Sequence, residues 1–140
     1  MAIDPDNPVA QLCIEGMRAE GEGRLSDAKA LFTRAWEASA DDHDASMAAH
    51  YLARHQETES ERFRWNAEAL HRAESSGDER VREFLPSLLL NLGHSHEMLG
   101  APVEARACYE RAAAVLDTVT PGPYSDALRD GVERALARTA

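Results

Sequence analysis

Two histidines stand one residue apart in the stretch NLGHSHEMLG, and imidazole is a common ligand of metal ions. Whether His94 and His96 could act together depends on the backbone that carries them. On an α-helix, side chains two residues apart point about 200° away from each other, so this pair could not bind one ion. Only His94 and Glu97, which are three residues apart, share a helical face.

A metal site that bridges two helices is the alternative that this spacing leaves open. It would combine His94 and Glu97 with His50 and Glu57 on the corresponding face of an earlier helix. Arg54 would lie between these candidate ligands, and a cation at that place opposes metal binding. The sequence therefore favours a protein without a metal or another cofactor.

The sequence offers little that could carry catalysis. It shows no pattern typical of an active site, such as a Ser/His/Asp or Cys/His arrangement, a glycine-rich phosphate loop or paired inward carboxylates. Cys13 and Cys108 lie far apart without a CxxC spacing, so we expect both to be small apolar side chains in or near the core. These features predict that the chain is not an enzyme.

Length and charge limit the kinds of partner. The 140 residues are the size of a single domain, 1–140, and the 44% hydrophobic and 29% charged shares are typical of a soluble globular protein. The net charge of -10 opposes binding to nucleic acid or to an anionic membrane surface. The first residues, MAIDPDNPVA, have neither a basic segment nor an apolar one, so we expect a cytoplasmic location.

Helical periodicity runs along the whole chain, and alternating β-branched residues do not occur, so the fold class is predicted to be all-α. Predicted helix starts are marked by Asn7 before a proline, by Ser26, by the capping-box pair Thr58 and Glu61, and by Ser125. The breaks predict seven helices, approximately at Pro8 to Glu20, Ser26 to Ser39, Asp44 to Gln56, Ser60 to Ser75, Asp78 to Leu99, Pro102 to Thr118 and Asp126 to Thr139.

One segment leaves two alternatives, because Pro86 lies inside the fifth predicted helix. It either kinks that helix or marks a break near Phe84 and Leu85. In the last helix, an apolar stripe of Leu128, Val132 and Leu136 is predicted to cover the exposed end of the preceding helices.

A repeat emerges when FTRA, LHRA and YERA are aligned, at residues 32–35, 70–73 and 109–112. These segments are 38 and 39 residues apart. Each follows a helix with a matching pair of residues, whose second member is small where two helices must approach closely. These pairs are Glu15-Gly16, Leu52-Ala53 and Leu92-Gly93.

These residues resemble the tetratricopeptide repeat family, and the period is similar to that of longer-helix bacterial variants and of short stand-alone bacterial members. The third copy matches best, through Leu89, Leu92, Gly93, Gly100, Ala105, Tyr109 and Ala112. The first copy keeps Leu12, Gly16, Gly23, Ala28, Phe32 and Ala35. The middle copy diverges most, with Asn66 at the small-alanine position. The resemblance implies a right-handed α-α superhelix of three repeats, at about 8–39, 44–75 and 78–118, with a capping helix at about 125–139.

The resemblance also implies a function, because members of this family bind proteins or peptides in a concave groove lined by the first helix of each repeat. That role is a non-catalytic scaffold or adaptor; the alternative is a regulatory receptor for a small peptide or metabolite, and a homodimer is compatible with three repeats. The implied groove residues are Cys13, Met17, Glu20, Met47, His50, Arg54, Glu57, Ser87, Leu90, His94, Glu97 and Met98. The opposing interpretation is that these are simply the solvated faces of the first helices.

Two further residues of the middle repeat are candidates for the binding surface. Trp65 is either an anchor for a partner or a core tryptophan. Asn66 places an amide where the helices pack closely, so it needs a partner, such as the Gln56 side chain or a main-chain carbonyl.

Overall fold

The computed structural model describes residue 4 and residues 6–140, and all regular secondary structure in that part of the chain is helical. The all-α class and the seven predicted α-helices are confirmed within these residues. The helices are α1 Pro8–Gly21, α2 Leu25–Glu37, α3 Asp42–Ala53, α4 Glu59–Ser76, α5 Leu85–Met98, α6 Pro102–Val115 and α7 Pro123–Arg138. Two short 3-10 helices, Glu79–Glu83 and Leu116–Thr118, precede α5 and follow α6. None of the helices described combines the length and hydrophobicity needed to traverse a lipid bilayer.

Two of the predicted helix caps are present. The Asn7 side chain accepts a hydrogen bond from the Val9 amide at 2.9 Å, and the Thr58 hydroxyl accepts one from the Glu61 amide at 3.1 Å. Each bond satisfies an amide that has no partner within its helix. Ser26 was predicted to cap α2 but does not, because the helix begins one residue earlier.

The start of α7 also differs from the prediction. Pro123 was expected to lie outside the helix, yet it is the first helical residue, because its fixed φ suits that position and an amide there would have no helical partner. Ser125 therefore lies in the first turn instead of before it. Its hydroxyl accepts a hydrogen bond from the Gly122 amide and donates one to the Gly122 carbonyl, both at 3.0 Å.

The predicted helix from Asp78 to Leu99 is two elements, which decides between the two alternatives for Pro86. The 3-10 helix ends at Glu83, and α5 starts at Leu85. Phe84 between them has φ and ψ of -112° and 1°, which lie outside the α-helical range. Pro86 lies in the first turn of α5, where its missing amide does no harm. The break turns the Phe84 side chain inward, and it is only 1% exposed.

Neighbouring helices pair into three hairpins, α1 with α2, α3 with α4, and α5 with α6. In the first and third hairpins, a glycine of the first helix lies directly against a ring of the second. A Cβ atom added to Gly16 would lie 2.7 Å from Cζ of Phe32, and one added to Gly93 would lie 2.8 Å from Cδ1 of Tyr109. No side chain fits at such distances, so the predicted close approach at these two glycines is confirmed.

The turns of the same two hairpins are alike. Gly23 and Gly100 have φ values of 77° and 79°, in the left-handed region that glycine adopts without strain. In both turns, the amide after the glycine donates to the carbonyl five residues earlier, at 2.9 and 2.8 Å. Helices α1 and α5 therefore end in the same way, with the same type of glycine cap.

The hydrophobic core is divided along the chain. One cluster is formed mainly by α4, α5, α6 and α7, and another by α1, α2 and α3. Trp36 of α2 and Trp65 of α4 pack against both clusters, with their rings edge to face and their centroids 5.1 Å apart. Helix α3 lies in the middle, and each of its residues from His43 to Ala53 is buried.

The last helix buries the predicted stripe. Leu128 and Val132 are 7% and 1% exposed, and Leu136 is half-buried. Leu90 of α5 reaches Gly131, where an added Cβ atom would lie 3.3 Å from its Cδ2 atom. The polar side chains of the same helix are exposed, at Asp126, Arg129, Asp130, Glu133 and Arg134. Helix α7 thus covers the end of the α5–α6 hairpin.

Candidate functional site

A polar cleft of about 480 Å³ opens between the end of α3, the start of α4 and one face of α5. Five of the residues predicted for the groove or binding surface meet there, namely His50, Arg54, Asn66, Ser87 and His94. The complete lining is His50, Ala53, Arg54, Glu59, Arg62, Asn66, Ser87, Asn91, His94 and Ser95. Only one of these ten side chains is purely apolar, so the cleft is suited to polar groups.

The floor of the cleft is a network of hydrogen bonds between three helices. Asn66 Nδ2 donates to Ser95 Oγ at 2.9 Å and lies 3.5 Å from the Asn91 carbonyl oxygen. A main-chain carbonyl was one of the two partners expected for this amide, whereas Gln56 donates elsewhere, to the Leu52 carbonyl. The polar residue at this close-packed position therefore joins α4 to α5.

His50 joins α3 to the same network. Its Nδ1 atom lies 3.3 Å from Asn91 Nδ2, and its ring is tilted against that of Tyr51 with a centroid distance of 5.0 Å. Burial, together with the nearby charge of Arg54, lowers the pKa of His50 from 6.5 to about 4. The ring is therefore neutral at physiological pH, and its Nδ1 atom accepts the hydrogen bond from the amide.

The rim of the cleft carries two arginines. The Arg54 guanidinium lies 4.7 Å from the centre of the Tyr51 ring and donates to Glu20 Oε1 at 2.9 Å. The other carboxylate oxygen of Glu20 lies 2.7 Å from His55 Nε2. The second arginine, Arg62, forms an ion pair with Glu59 one turn away. About half of the Arg54 side chain stays exposed, so its charge faces both the cleft and the solvent.

The two histidines of NLGHSHEMLG face different surroundings, as their spacing predicted. His94 is exposed at the cleft, whereas His96 is half-buried, with its ring edge to face against Phe63 at a centroid distance of 4.9 Å. One of the two carboxylates of the bridging metal site is engaged elsewhere, because Glu97 accepts hydrogen bonds from Tyr109 and Arg138. These donors, with Arg138 first, lower the pKa of Glu97.

Other predicted groove residues lie away from the cleft. Met47 is 1% exposed and belongs to the core, and Leu90 and Glu97 contact α7 instead of open space. Met17 is half-buried on α1, and Glu57 is exposed in the turn before α4. The resemblance placed Met47 on the groove surface, but its side chain is buried in the core, so this placement is wrong.

Two predicted residues lie at the surface outside the cleft. Met98 is 51% exposed at the end of α5, beside Leu99 and Val103, which are 45% and 78% exposed. Trp65 lines a second depression of about 420 Å³, together with Trp36 and charged residues of α4. The half-buried Trp65 also packs against both core clusters, so it has a packing role, and its role as an anchor for a partner stays a prediction.

The sequence analysis missed several residues of the cleft. Asn91 and Ser95 are four residues apart on α5 and therefore share the face that meets Asn66. That spacing was a usable signal. Arg62 and Glu59 were overlooked because they belong to a second helix, whose first turns reach over the cleft. Ser87, by contrast, was expected in the groove and does line it.

The cysteine prediction is confirmed, because both thiols are free and buried. Burial raises the pKa of Cys13 to about 12, with a smaller contribution from the charge of Asp44. Burial also raises the pKa of Cys108. Both side chains therefore stay protonated at neutral pH and are poor nucleophiles.

The chain was compared with models of protein families, with curated proteins and with solved structures, and no match was found. The resemblance to tetratricopeptide repeats stays a prediction that rests on the repeated residues.

Proposed function

We propose that the chain is a tetratricopeptide-like recognition module that binds a peptide segment carrying a carboxylate in the cleft between α3, α4 and α5. In this proposal the seven helices form a right-handed superhelix of three repeats, and α7 closes its end. The matching glycine-to-ring contacts of the first and third hairpins support the repeats, as do their matching turns. The module acts as a scaffold or adaptor and performs no chemistry on its ligand.

The charge of the cleft is the observation that carries the proposal. The chain has 25 acidic and 15 basic residues, yet the cleft contains two arginines and a single carboxylate. Arg54 is tied to Glu20, which lies outside the lining, through one ion pair at 2.9 Å. A ligand carboxylate can exchange with Glu20 at little cost, because such exposed pairs contribute only about 0–1 kcal/mol.

The remaining polar groups suit a peptide main chain. His94 and Ser87 lie on the same side of α5, seven residues apart, and both line the cleft. Seven residues on a helix are two turns, or about 10 Å, which is the length of three residues of an extended peptide. Below them, the bond from Asn66 to Ser95 holds α4 against α5, so the cleft keeps its width before a ligand arrives.

A peptide-binding measurement tests the proposal. Peptides selected on an array are labelled, and their affinity is measured by fluorescence anisotropy for the wild type and for Arg54→Glu/His94→Glu. We expect the double variant to bind at least about tenfold more weakly, because it removes one cation and places two like charges against the ligand carboxylate. A peptide in which asparagine replaces aspartate should lose a similar factor against the wild type.

The matched control is Arg34→Glu/His71→Glu, which makes the same changes at two exposed positions of α2 and α4 outside the cleft. It should bind as the wild type does. Equal weakening by both double variants would show that the net charge of the protein, and not the cleft, determines binding. Unchanged affinity in the cleft variant would refute the proposed site.

The volume of the cleft favours a second candidate, a receptor for a small polar ligand. About 480 Å³ lies within the usual range of small-molecule sites, roughly 300–1,000 Å³. This candidate predicts that small dicarboxylates raise the melting temperature of the wild type but not that of Arg54→Glu/His94→Glu. Peptides longer than the cleft would then bind no more tightly than the free small molecule.

A further inference from the structure

A second group of ionisable side chains lies at the other end of α3, where the chain reads Asp41-Asp42-His43-Asp44. Asp41, His43 and Asp44 each offer one ligand atom, and these three atoms lie within 4.8 Å of one another. His43 and Asp44 are 4% and 5% exposed, whereas Asp41 is exposed. The group is distant from the cleft, because the whole length of α3 separates them.

The imidazole of His43 is the unexplained part of this group. Within residue 4 and residues 6–140, its Nδ1 atom is the one buried side-chain nitrogen or oxygen without a hydrogen-bond partner. It lies 3.8 Å from Asp44 Oδ1, which is too far for a hydrogen bond. A buried nitrogen without a partner is costly, so a native structure rarely keeps one without a compensating ligand.

The two carboxylates keep free coordination sites. Asp41 Oδ1 accepts the Asp44 amide at 2.8 Å, as the cap of α3. Asp44 Oδ1 accepts the Asn7 side chain at 2.7 Å, and its Oδ2 atom lies 3.3 Å from the Ala40 amide. All these donors are neutral, and a carboxylate has about four acceptor sites. These hydrogen bonds leave acceptor positions on both carboxylates for a cation, while the charge of the nearby Arg80 also acts on Asp41 and Asp44.

A small cavity of about 160 Å³ adjoins the group and leaves room for an ion with its water. Its lining consists of Asp41, Asp42 and His43, together with Ser76, the last residue of α4, and Asp78 in the connection that follows. The carboxylate of Asp78 is held by Arg80, which also lowers its pKa. Asp78 is therefore not counted as a ligand, and water would complete the coordination.

We propose that Asp41, His43 and Asp44 bind a divalent transition-metal ion of the zinc class through two carboxylate oxygens and the Nδ1 atom of His43. Mixed nitrogen and oxygen ligands favour zinc over magnesium or calcium, which prefer oxygen alone. In a tetrahedral zinc site the ligand atoms lie about 3.3 Å apart. Side-chain rotations that move the three ligand atoms by about 1 Å would bring them to that separation.

The ion would have a structural role. Asp44 already connects α3 to the start of α1 through Asn7, and Asp41 lies in the connection from α2. A metal at this point would fasten α1, α2 and α3 together at one end of the core. Ion binding should therefore stabilise the fold without altering the cleft, and its test is independent of the peptide proposal.

Calorimetric titration of the full chain with zinc chloride near pH 7.5 tests the site, because its histidine must be neutral to bind. The key variant is Asp41→Asn, since asparagine retains the cap of α3 and the variant should fold. We expect one zinc site in the wild type and at least about a tenfold loss of affinity in the variant. Asp126→Asn makes the same charge change at an exposed residue in the first turn of α7 and should bind as the wild type does.

A second readout identifies the ligand nitrogen. In nitrogen NMR spectra of the imidazoles, the resonance of His43 is assigned by its absence in His43→Gln, and zinc should shift its Nδ1 signal. Two results would overturn the proposal: equal zinc affinity in Asp41→Asn and the wild type, or a His43 signal that zinc does not move. In the second case His43 is not a ligand of the ion, and the group does not form the proposed site.

Discussion

Replacement of Gly16 by alanine brings a methyl group against the ring of Phe32. The new Cβ atom would lie 2.7 Å from Cζ and 2.8 Å from Cδ1, and the ring has no exposed surface. The ring cannot move away easily, because it is stacked on Tyr51 with a centroid distance of 5.1 Å. Either α1 must shift away from α2, or the two stacked rings must separate.

The size of the effect follows from two opposing contributions. Alanine is about 1 kcal/mol more favourable than glycine inside a helix. Overpacking a rigid core costs about 1–3 kcal/mol. This contact belongs at the upper end of that range, because the new methyl group would press against a rigid ring and not against the end of a flexible side chain. We expect Gly16→Ala to lower the free energy of unfolding by about 2 kcal/mol, and the melting temperature by about 6 °C or more.

Urea unfolding followed by circular dichroism measures this loss, and Gly21→Ala is the matched control. Gly21 is the last residue of the same helix, and an added Cβ atom there meets nothing within 4 Å. It should be neutral or stabilising by up to about 1 kcal/mol. In a Phe32→Leu background, the cost of Gly16→Ala should shrink by about 1 kcal/mol or more. If Gly16→Ala is as stable as Gly21→Ala, the contact between α1 and α2 is not the one described here.

Two further predictions concern the floor of the cleft. Because the pKa of His50 is lower in the folded protein than in the unfolded chain, acid protonates this histidine in the unfolded chain first. The stability that the neutral His50 contributes is therefore complete above pH 6.5 and is lost as the pH falls toward about 4. Between pH 7 and pH 5 the free energy of unfolding measured in urea should fall by about 2 kcal/mol in the wild type, and this fall should be absent in His50→Gln. If the free energy of unfolding depends on pH equally in both proteins, the lowered pKa does not belong to His50. Asn66→Ala restores the small residue typical of the repeat family, yet it should cost about 1–2 kcal/mol, because the Ser95 hydroxyl and the Asn91 carbonyl lose their donor. If Asn66→Ala is as stable as the wild type in the same assay, Asn66 does not join α4 to α5 as described.

The number of helices could be predicted because the breaks are local. Asn7 and Thr58 satisfy terminal amides with their own side chains, and Gly100 adopts a conformation that few other residues tolerate. The break before α5 was not decided by the sequence, since a proline is compatible with both a kink and a first turn. Burial of Phe84 favours the break, and that depends on packing with distant residues.

Exposure on α3 was harder to predict than its helical state. The resemblance to the tetratricopeptide family implies that Met47 and His50 lie on a groove face, but it does not say how far the neighbouring helices close over that face. Here both residues are buried, and of the three groove positions of this repeat that precede the turn, only Arg54 reaches the surface. Curvature of the helical array depends on side-chain volumes across several interfaces, and one period in the sequence carries no such information.

The composition of α3 connects the two proposed sites. A helix that is buried along its length is normally apolar, yet this one carries four buried polar side chains, His43, Asp44, Ser46 and His50. Three of them have partners: Asp44 has Asn7, the Ser46 hydroxyl donates to a carbonyl within the helix, and His50 has Asn91. Polar groups at such positions are not needed for packing, and apolar residues of the same volume would cost less. The two histidines lie near opposite ends of the helix, and each borders a cavity. The ligands proposed for the two ends of α3 would account for the two histidines, and the tests of the two sites therefore also test this interpretation of the helix.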